Sequence, residues 1–181
     1  MLTGCSGLQG TGDKGYITGT GTVSQFPDGE RGEPISLRGE DLDGAALSLD
    51  ELRGAPVVVV VWGSWCTPCR AEAPDVIAAA DRLRGEAAFV GINIRNPSVA
   101  ESQAFVRRVG VPYPSFFSPG GEALLPFAGT LTLYTIPGFV VLDAEGRIAA
   151  SIIGRLPSTT TLVDLVEDVE ADAQAGAGSR G

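Results

Sequence analysis

Hydrophobic positions along the chain switch between two periods. Pro56 to Trp62 contains five consecutive valines, the uninterrupted apolar run of a strand buried on both faces. From about Thr67 the spacing changes. Cys69, Ala73, Val76, Ile77, Ala80 and Leu83 recur at helical intervals, and Gly85 is placed to close the helix as its C-cap. Pro74 falls inside that pattern and predicts a kink. Ala88 to Ile94 is a second apolar run, which a β-α-β crossover makes parallel to the first. Ala100 to Val109 predicts a second helix. Gly110 to Thr135, rich in Pro, Gly and aromatic residues, predicts irregular structure with one strand near Ser115–Phe117. Phe139–Leu142 and Arg147–Ile153, joined by the turn Asp143-Ala144-Glu145-Gly146, predict an antiparallel hairpin. Leu162, Leu165, Val166 and Val169 mark a last helix capped by Ser158 or Thr159. Upstream, Ile35, Leu37, Leu47 and Leu49 flank Asp43-Gly44, the signal of a short hairpin. The order β-α-β followed by β-β-α predicts an α/β fold: a mixed central sheet with helices on both faces.

The two ends lack this patterning. Nine of the 25 glycines fall between Gly4 and Gly32, with no hydrophobic period to offset the entropy of ordering them. This predicts a flexible tether over residues 1–32, one domain over 33–170 and a disordered small-residue tail over 171–181. The body is long enough for an ordinary core without a metal or disulfide staple. No stretch approaches the length of a transmembrane helix.

Composition removes whole classes of chemistry. The chain has no histidine, which excludes Ser-His-Asp and Cys-His catalysis and histidine metal ligation. Its one lysine, Lys14, lies in the glycine-rich segment, away from any phosphate loop or Schiff-base pocket. Three cysteines cannot complete a four-cysteine metal site. A net charge of −9 argues against nucleic acid or an anionic membrane as an electrostatic partner. What remains is the chemistry of thiols and carboxylates.

Those thiols stand at a telling place. Trp62-Gly63-Ser64-Trp65-Cys66-Thr67-Pro68-Cys69 lies where the valine strand hands over to the first helix. At a helix start, unpaired backbone N–H groups and the positive end of the dipole favour a thiolate at Cys66. Cys69, one turn further in, is the shielded thiol that resolves a mixed disulfide. Pro68 suits the first turn, where its missing N–H costs nothing. Closing so small a loop with a disulfide stabilises a fold little, so the pair is read as reactive. Trp65 is expected to line a substrate groove and Trp62 to be core. The acidic run Glu167, Asp168, Glu170 and Asp172 opposes the dipole at a helix end and is read as solvated, without chemistry.

The run Val57 to Glu72, the Ile136-Pro137 pair and the order of elements resemble the thioredoxin superfamily, and within it the TlpA/ResA-like extracytoplasmic thiol–disulfide oxidoreductases. The resemblance covers about Glu33 to Val169. It implies a thioredoxin fold with an N-terminal β-hairpin extension and a central insertion before Ile136. It implies that Pro137 is the cis-proline packed opposite the cysteines, and that Thr67, Pro68, Ile136 and Pro137 join Trp65 in the groove. Gly138 departs from the threonine often found after that proline. Thioredoxins of the cytosol carry a buried aspartate where this chain has Val60. Glu72 instead matches the buried glutamate of ResA-like reductases, and a carboxylate there raises the pKa of a neighbouring thiol and passes protons during exchange. The implied function is disulfide exchange on extracytoplasmic protein substrates, in settings such as cytochrome c maturation or envelope redox homeostasis. Cys66, Cys69 and Glu72 form the catalytic set, no cofactor is needed, and a membrane redox partner reloads the pair.

Leu2-Thr3-Gly4-Cys5 resembles a bacterial lipobox, which implies lipidation of Cys5, a start site upstream of Met1 and a lipid anchor for an otherwise soluble monomer. Two other classes stay open. A redoxin-type thiol peroxidase needs a hydroxyl near an isolated cysteine, for which Ser64 is the nearby upstream residue. A non-catalytic binding module would keep the fold as a scaffold.

Overall fold

The computed structural model describes residues 16–18 and 21–178. Among the described residues, nine strands and three α-helices run in the order β1 (Tyr16–Thr18), β2 (Gly21–Gln25), β3 (Arg38–Glu40), β4 (Ala46–Ser48), β5 (Val57–Trp62), α1 (Thr67–Arg82), β6 (Ala88–Ile94), α2 (Val99–Val109), β7 (Ser115–Ser118), β8 (Gly138–Leu142), β9 (Ile148–Gly154) and α3 (Thr159–Gly178). Seven strands form one mixed sheet, ordered β1-β2-β9-β8-β5-β6-β7. The valine strand β5 is central. It pairs in parallel with β6 (Val57 opposite Ala88) and antiparallel with β8 (Val57 opposite Leu142), and all six of its residues are buried.

Strands β5, β6 and β7 are parallel and step across the sheet in one direction. Right-handed crossovers therefore place α1 and α2 on the same face. Side-chain alternation agrees. Val58 and Val60 pack with Val76, Ala79 and Leu83 of α1 and Leu162 and Val166 of α3, while Trp62, next on that face, stacks on Phe105 of α2 at 5.2 Å. The expectation of flanking helices on both faces is met differently on the far side. There Val57, Val59 and Val61 are covered by a 3₁₀ helix over Glu122–Phe127, by Leu49 and by Ile35. The predicted hairpin is β3–β4, a separate two-stranded sheet with Arg38 opposite Ser48.

α1 passes through Pro74 as one helix and ends at Leu83, whose N–H donates to the Ala79 carbonyl; Gly85 lies in the turn beyond rather than at the cap. α2 begins at Ser98, whose Oγ accepts from Glu101 N–H, and ends on Gly110 in the left-handed region. α3 begins at Ser158, whose Oγ accepts from Thr161 N–H.

The domain boundaries expected at residues 32 and 171 both move outward. β2 joins the main sheet beside β9, with Val23 opposite Ile152, so the supposed tether supplies two strands. Its apolar content is too small to register as a period, because a ladder of backbone hydrogen bonds holds it. α3 continues to Gly178, past the expected tail boundary. Cys5 and residues 179–181 lie outside the described residues. The acidic run on α3 also has partners: Asp168 accepts from Gln25 Nε2 at 2.9 Å, and Asp172 pairs with Arg31 at 2.8 Å.

Arg31 locks this N-terminal addition to the body. Its buried guanidinium reaches Asp143 at 3.3 Å, and the fully buried Asp143 also pairs with Arg147 and accepts two backbone N–H groups of its turn. Asp143→Ala leaves buried donors without an acceptor and is expected to cost about 3 kcal/mol or more, read from urea unfolding. Arg38→Ala, at an exposed pair with Asp50, is expected to cost less than about 1 kcal/mol in the same experiment.

Candidate active site

Where β5 ends, the chain turns through Gly63-Ser64-Trp65 and enters α1 at Cys66. Cys66 is the N-cap: its backbone is extended (φ −75°, ψ 106°) and its Sγ accepts from Cys69 N–H at 3.2 Å. Thr67 and Pro68 form the first turn, where Pro68 has no N–H to leave unpaired. Cys66 and Cys69 are joined as a disulfide, Cα atoms 5.3 Å apart. In this oxidised state both are buried, Cys66 at 3% exposure and Cys69 at 8%. The expected contrast between an open Cys66 and a shielded Cys69 is thus absent from exposure alone. Surroundings distinguish them instead: Cys69, together with Glu72 and Pro137, lines a small cavity of about 30 Å³.

The Ile136–Pro137 bond is cis. Ile136 packs against the cluster containing both cysteines, and the Pro137 carbonyl accepts from Gly154 N–H at 3.1 Å. Thr67 is exposed and Pro68 half-buried. The residues named from the sequence therefore converge from two chain segments, 65–72 and 136–137, at the end of the sheet where β5 gives way to α1.

Glu72 is buried with its side chain only 4% exposed. Oε1 accepts from Arg155 Nε at 3.3 Å, and Oε2 has no hydrogen-bond partner. Burial is the main force on this carboxyl and raises it above its ordinary range; the Leu156 backbone and Arg155 pull it back, and Asp75 adds to the rise. Val60, at the place of the aspartate of cytosolic thioredoxins, lines the same cavity. Glu72 is thus the carboxylate beside Cys69.

Trp62 is core, as expected: its Nε1 donates to Ser115 Oγ at 3.1 Å. Trp65 is 42% exposed, and its Nε1 donates to the Ile94 carbonyl at 3.3 Å. The ring lies so close to Gly63 that a Cβ there would stand 2.6 Å from the indole nitrogen. The Arg95 guanidinium sits over the ring, 4.5 Å from its centroid.

Four side chains of this site, Asn93, Asn96, Arg95 and Arg155, were not anticipated from the sequence. Asn96 clamps Ser64, with Oδ1 accepting from Ser64 N–H at 3.0 Å and Nδ2 donating to Ser64 Oγ at 2.7 Å. Asn93 donates to Asn96 Oδ1 and accepts from Ser102 Oγ, so a buried polar chain runs from α2 to the loop before Cys66. Two asparagines in or beside an apolar strand were the available signal, since buried amides need partners. Arg155 and Arg95 carried none, being single arginines in loops. No group of three or more His, Cys, Asp or Glu suited to a metal occurs among the described residues.

The Redoxin family pattern matches residues 23–169. The chain belongs to the Redoxin family. Within this thioredoxin-fold superfamily it is TlpA/ResA-like. It is 25% identical over 115 residues to the thiol-disulfide oxidoreductase ResA of Bacillus thuringiensis (strain Al Hakam), covering 63% of this chain and 64% of ResA. The chain therefore spans less than two thirds of the length of that curated relative. Among solved structures, a DsbF homologue from Corynebacterium diphtheriae superposes with a TM-score of 0.77 at 30% identity, covering 87% of this redoxin and 99% of the homologue. A secreted thiol-disulfide isomerase from Corynebacterium glutamicum gives 0.73 at 26% identity, covering 81% and 90%. The redoxin match begins at Val23, inside β2, and so takes in the last three residues of that strand.

Proposed function

We propose that this chain is a thiol–disulfide oxidoreductase acting on protein substrates outside the cytoplasm. The observation that carries the reading is the Cys66–Cys69 disulfide at the start of α1, beside cis Pro137 and above the buried Glu72. In the reducing direction, the Cys66 thiolate attacks a substrate disulfide. A Cys66–substrate bond forms, the substrate bond breaks, and the released thiolate takes a proton. The Cys69 thiolate then attacks Cys66 Sγ, which restores the internal disulfide and frees the second substrate thiol. Two electrons pass from the pair to the substrate. Run backwards, the same steps oxidise a substrate dithiol, and a redox partner reloads the pair.

Helix-start N–H groups support Cys66 as the attacking thiol, and the cavity wall around Cys69 supports it as the resolving one. Glu72, with Oε2 unpaired, is assigned the proton relay. Trp65, Thr67, Pro68, Ile136 and Pro137 are assigned to the substrate groove. The peroxidase alternative is disfavoured because Cys66 is paired with Cys69 three residues on, whereas that reading needs an isolated cysteine. An extracytoplasmic location is supported by the likeness to the secreted C. glutamicum protein. Lipidation of Cys5, anchoring of a monomer and a membrane redox partner rest on the lipobox resemblance of residues 2–5 and on the family.

The test is insulin reduction by the reduced chain, run beside a peroxide-consumption assay. Rapid insulin precipitation with slow peroxide loss is expected. Peroxide loss without insulin reduction would replace the exchange reading with the peroxidase one, and neither activity would leave the binding-module reading.

A further inference from the structure

The surroundings of Trp65 are built more carefully than a groove wall requires. Arg95 is the only non-glycine residue with a positive φ (56°) among the described residues, a conformation that L side chains adopt at a cost. Fixed points on both sides hold it there. The Ile94 carbonyl accepts from the Trp65 indole, the Arg95 N–H donates to the Pro119 carbonyl at 3.1 Å, and Asn96 is tied to Ser64. Gly63 leaves room for the indole to lie flat against the loop. The outcome is a guanidinium stacked on the tryptophan that immediately precedes Cys66.

That guanidinium is exposed and uncommitted. Of the eleven arginines between residues 31 and 155, seven pair with carboxylates; Arg95 pairs with none among the described residues. Arg70, next to Cys69 in the first turn of α1, is likewise exposed and without an ion pair among them. In a chain of net charge −9, two open cations beside the cysteine pair run against the overall field. A planar guanidinium held by stacking loses little freedom when it binds a carboxylate, and it can present two parallel N–H groups to it.

We propose that Arg95, stacked on Trp65, is a specificity-determining residue that selects substrates carrying a carboxylate beside the exchanging cysteine. This rests on the exchange reading above and adds the chemistry of the substrate segment. Arg95 takes no part in the transfer of electrons or protons. It binds the flanking Asp or Glu and so holds the substrate disulfide in line with Cys66.

The experiment uses the full chain, reduced, and three disulfide peptides that differ only in the residue next to the cysteine: Asp, Asn or Lys. Single-turnover rates are measured for wild type, Arg95→Gln and Arg95→Lys at low salt and at 0.5 M NaCl. For wild type the Asp peptide is expected to react about fivefold faster than the Asn peptide, the upper value for an exposed ion pair, through a lower KM rather than a higher kcat. High salt should shrink that ratio. Arg95→Gln should bring the Asp-to-Asn ratio to about one, and Arg95→Lys should keep part of it. Equal rates on Asp and Asn peptides in wild type would overturn the proposal, as would a preference that survives in Arg95→Gln. Equal slowing of all three peptides in Arg95→Gln would also overturn it, by making Arg95 a mere support for Trp65. No exchange with any peptide by wild type is a separate result, and it would sink the exchange reading itself.

Discussion

Cys66→Ser is expected to abolish disulfide exchange, while Cys69→Ser is expected to stop it halfway, with a substrate–Cys66 mixed disulfide accumulating. The asymmetry follows from position. A thiolate at Cys66 is stabilised by the free N–H groups of the first turn of α1, including the Cys69 N–H that its sulfur already accepts. Cys69 lines the same cavity as Glu72, where apolar surroundings and the neighbouring carboxylate disfavour a thiolate. Mass spectrometry of each variant after mixing with a disulfide substrate reads the trapped adduct, which a reductant such as dithiothreitol should release. Brief iodoacetamide treatment of the reduced wild type at pH 7 should label Cys66 first. An adduct that builds up in Cys66→Ser instead, with Cys69 labelled first, would exchange the two roles.

Glu72→Gln should lower the pKa of at least one cysteine and slow exchange on the order of a hundredfold, the lower end of what a positioned proton relay contributes. The change removes the charge but keeps the size, so packing is preserved. Stopped-flow rates and thiolate absorbance against pH read both effects, and identical curves for wild type and variant would reduce Glu72 to a structural charge. A second consequence concerns stability. Because burial raises the Glu72 carboxyl in the folded chain, the folded state holds that proton more tightly than the unfolded state does. The stability linked to it is complete below the ordinary value of 4.5 and is lost as pH rises through the raised folded value. Each pH unit in that window is worth about 1.4 kcal/mol. Glu72→Gln should therefore lack this fall in urea-unfolding measurements. Arg155→Gln, which removes the opposing cation at 3.3 Å, should extend the fall to higher pH.

Much of the site could be read before the fold was known, because its chemistry is local. The C-x-x-C pair, the helix start that activates it and the continuous valine run that buries it are neighbours in the chain. Backbone periodicity says which face each residue takes. Glu72 lies one turn beyond Cys69 on α1, so spacing put it on the face of Cys69, but its burial there was an expectation from the resemblance and is set by the packing around it. Pro137 is more distant, and there the resemblance rather than periodicity supplied the expectation of a cis bond.

What was not legible depends on contacts between distant segments. Strand β2 holds Val23 as its buried hydrophobic residue, and its place in the sheet comes from backbone pairing with β9, which leaves no mark in a hydrophobic pattern. Asn96 meets Ser64 across 32 residues, and Arg155 meets Glu72 across 83. A polar side chain in a loop has no period, and its partner is chosen only when crossovers and strand order bring the segments together. By itself, then, the sequence determined the thiol pair, its place at a helix start and the α/β order, since those follow from spacing along one element. Tertiary structure alone decided which carboxylate, cation and amides surround that pair, and that α1 and α2 share a face, because side-chain partners across a sheet are set by how the strands are laid beside one another.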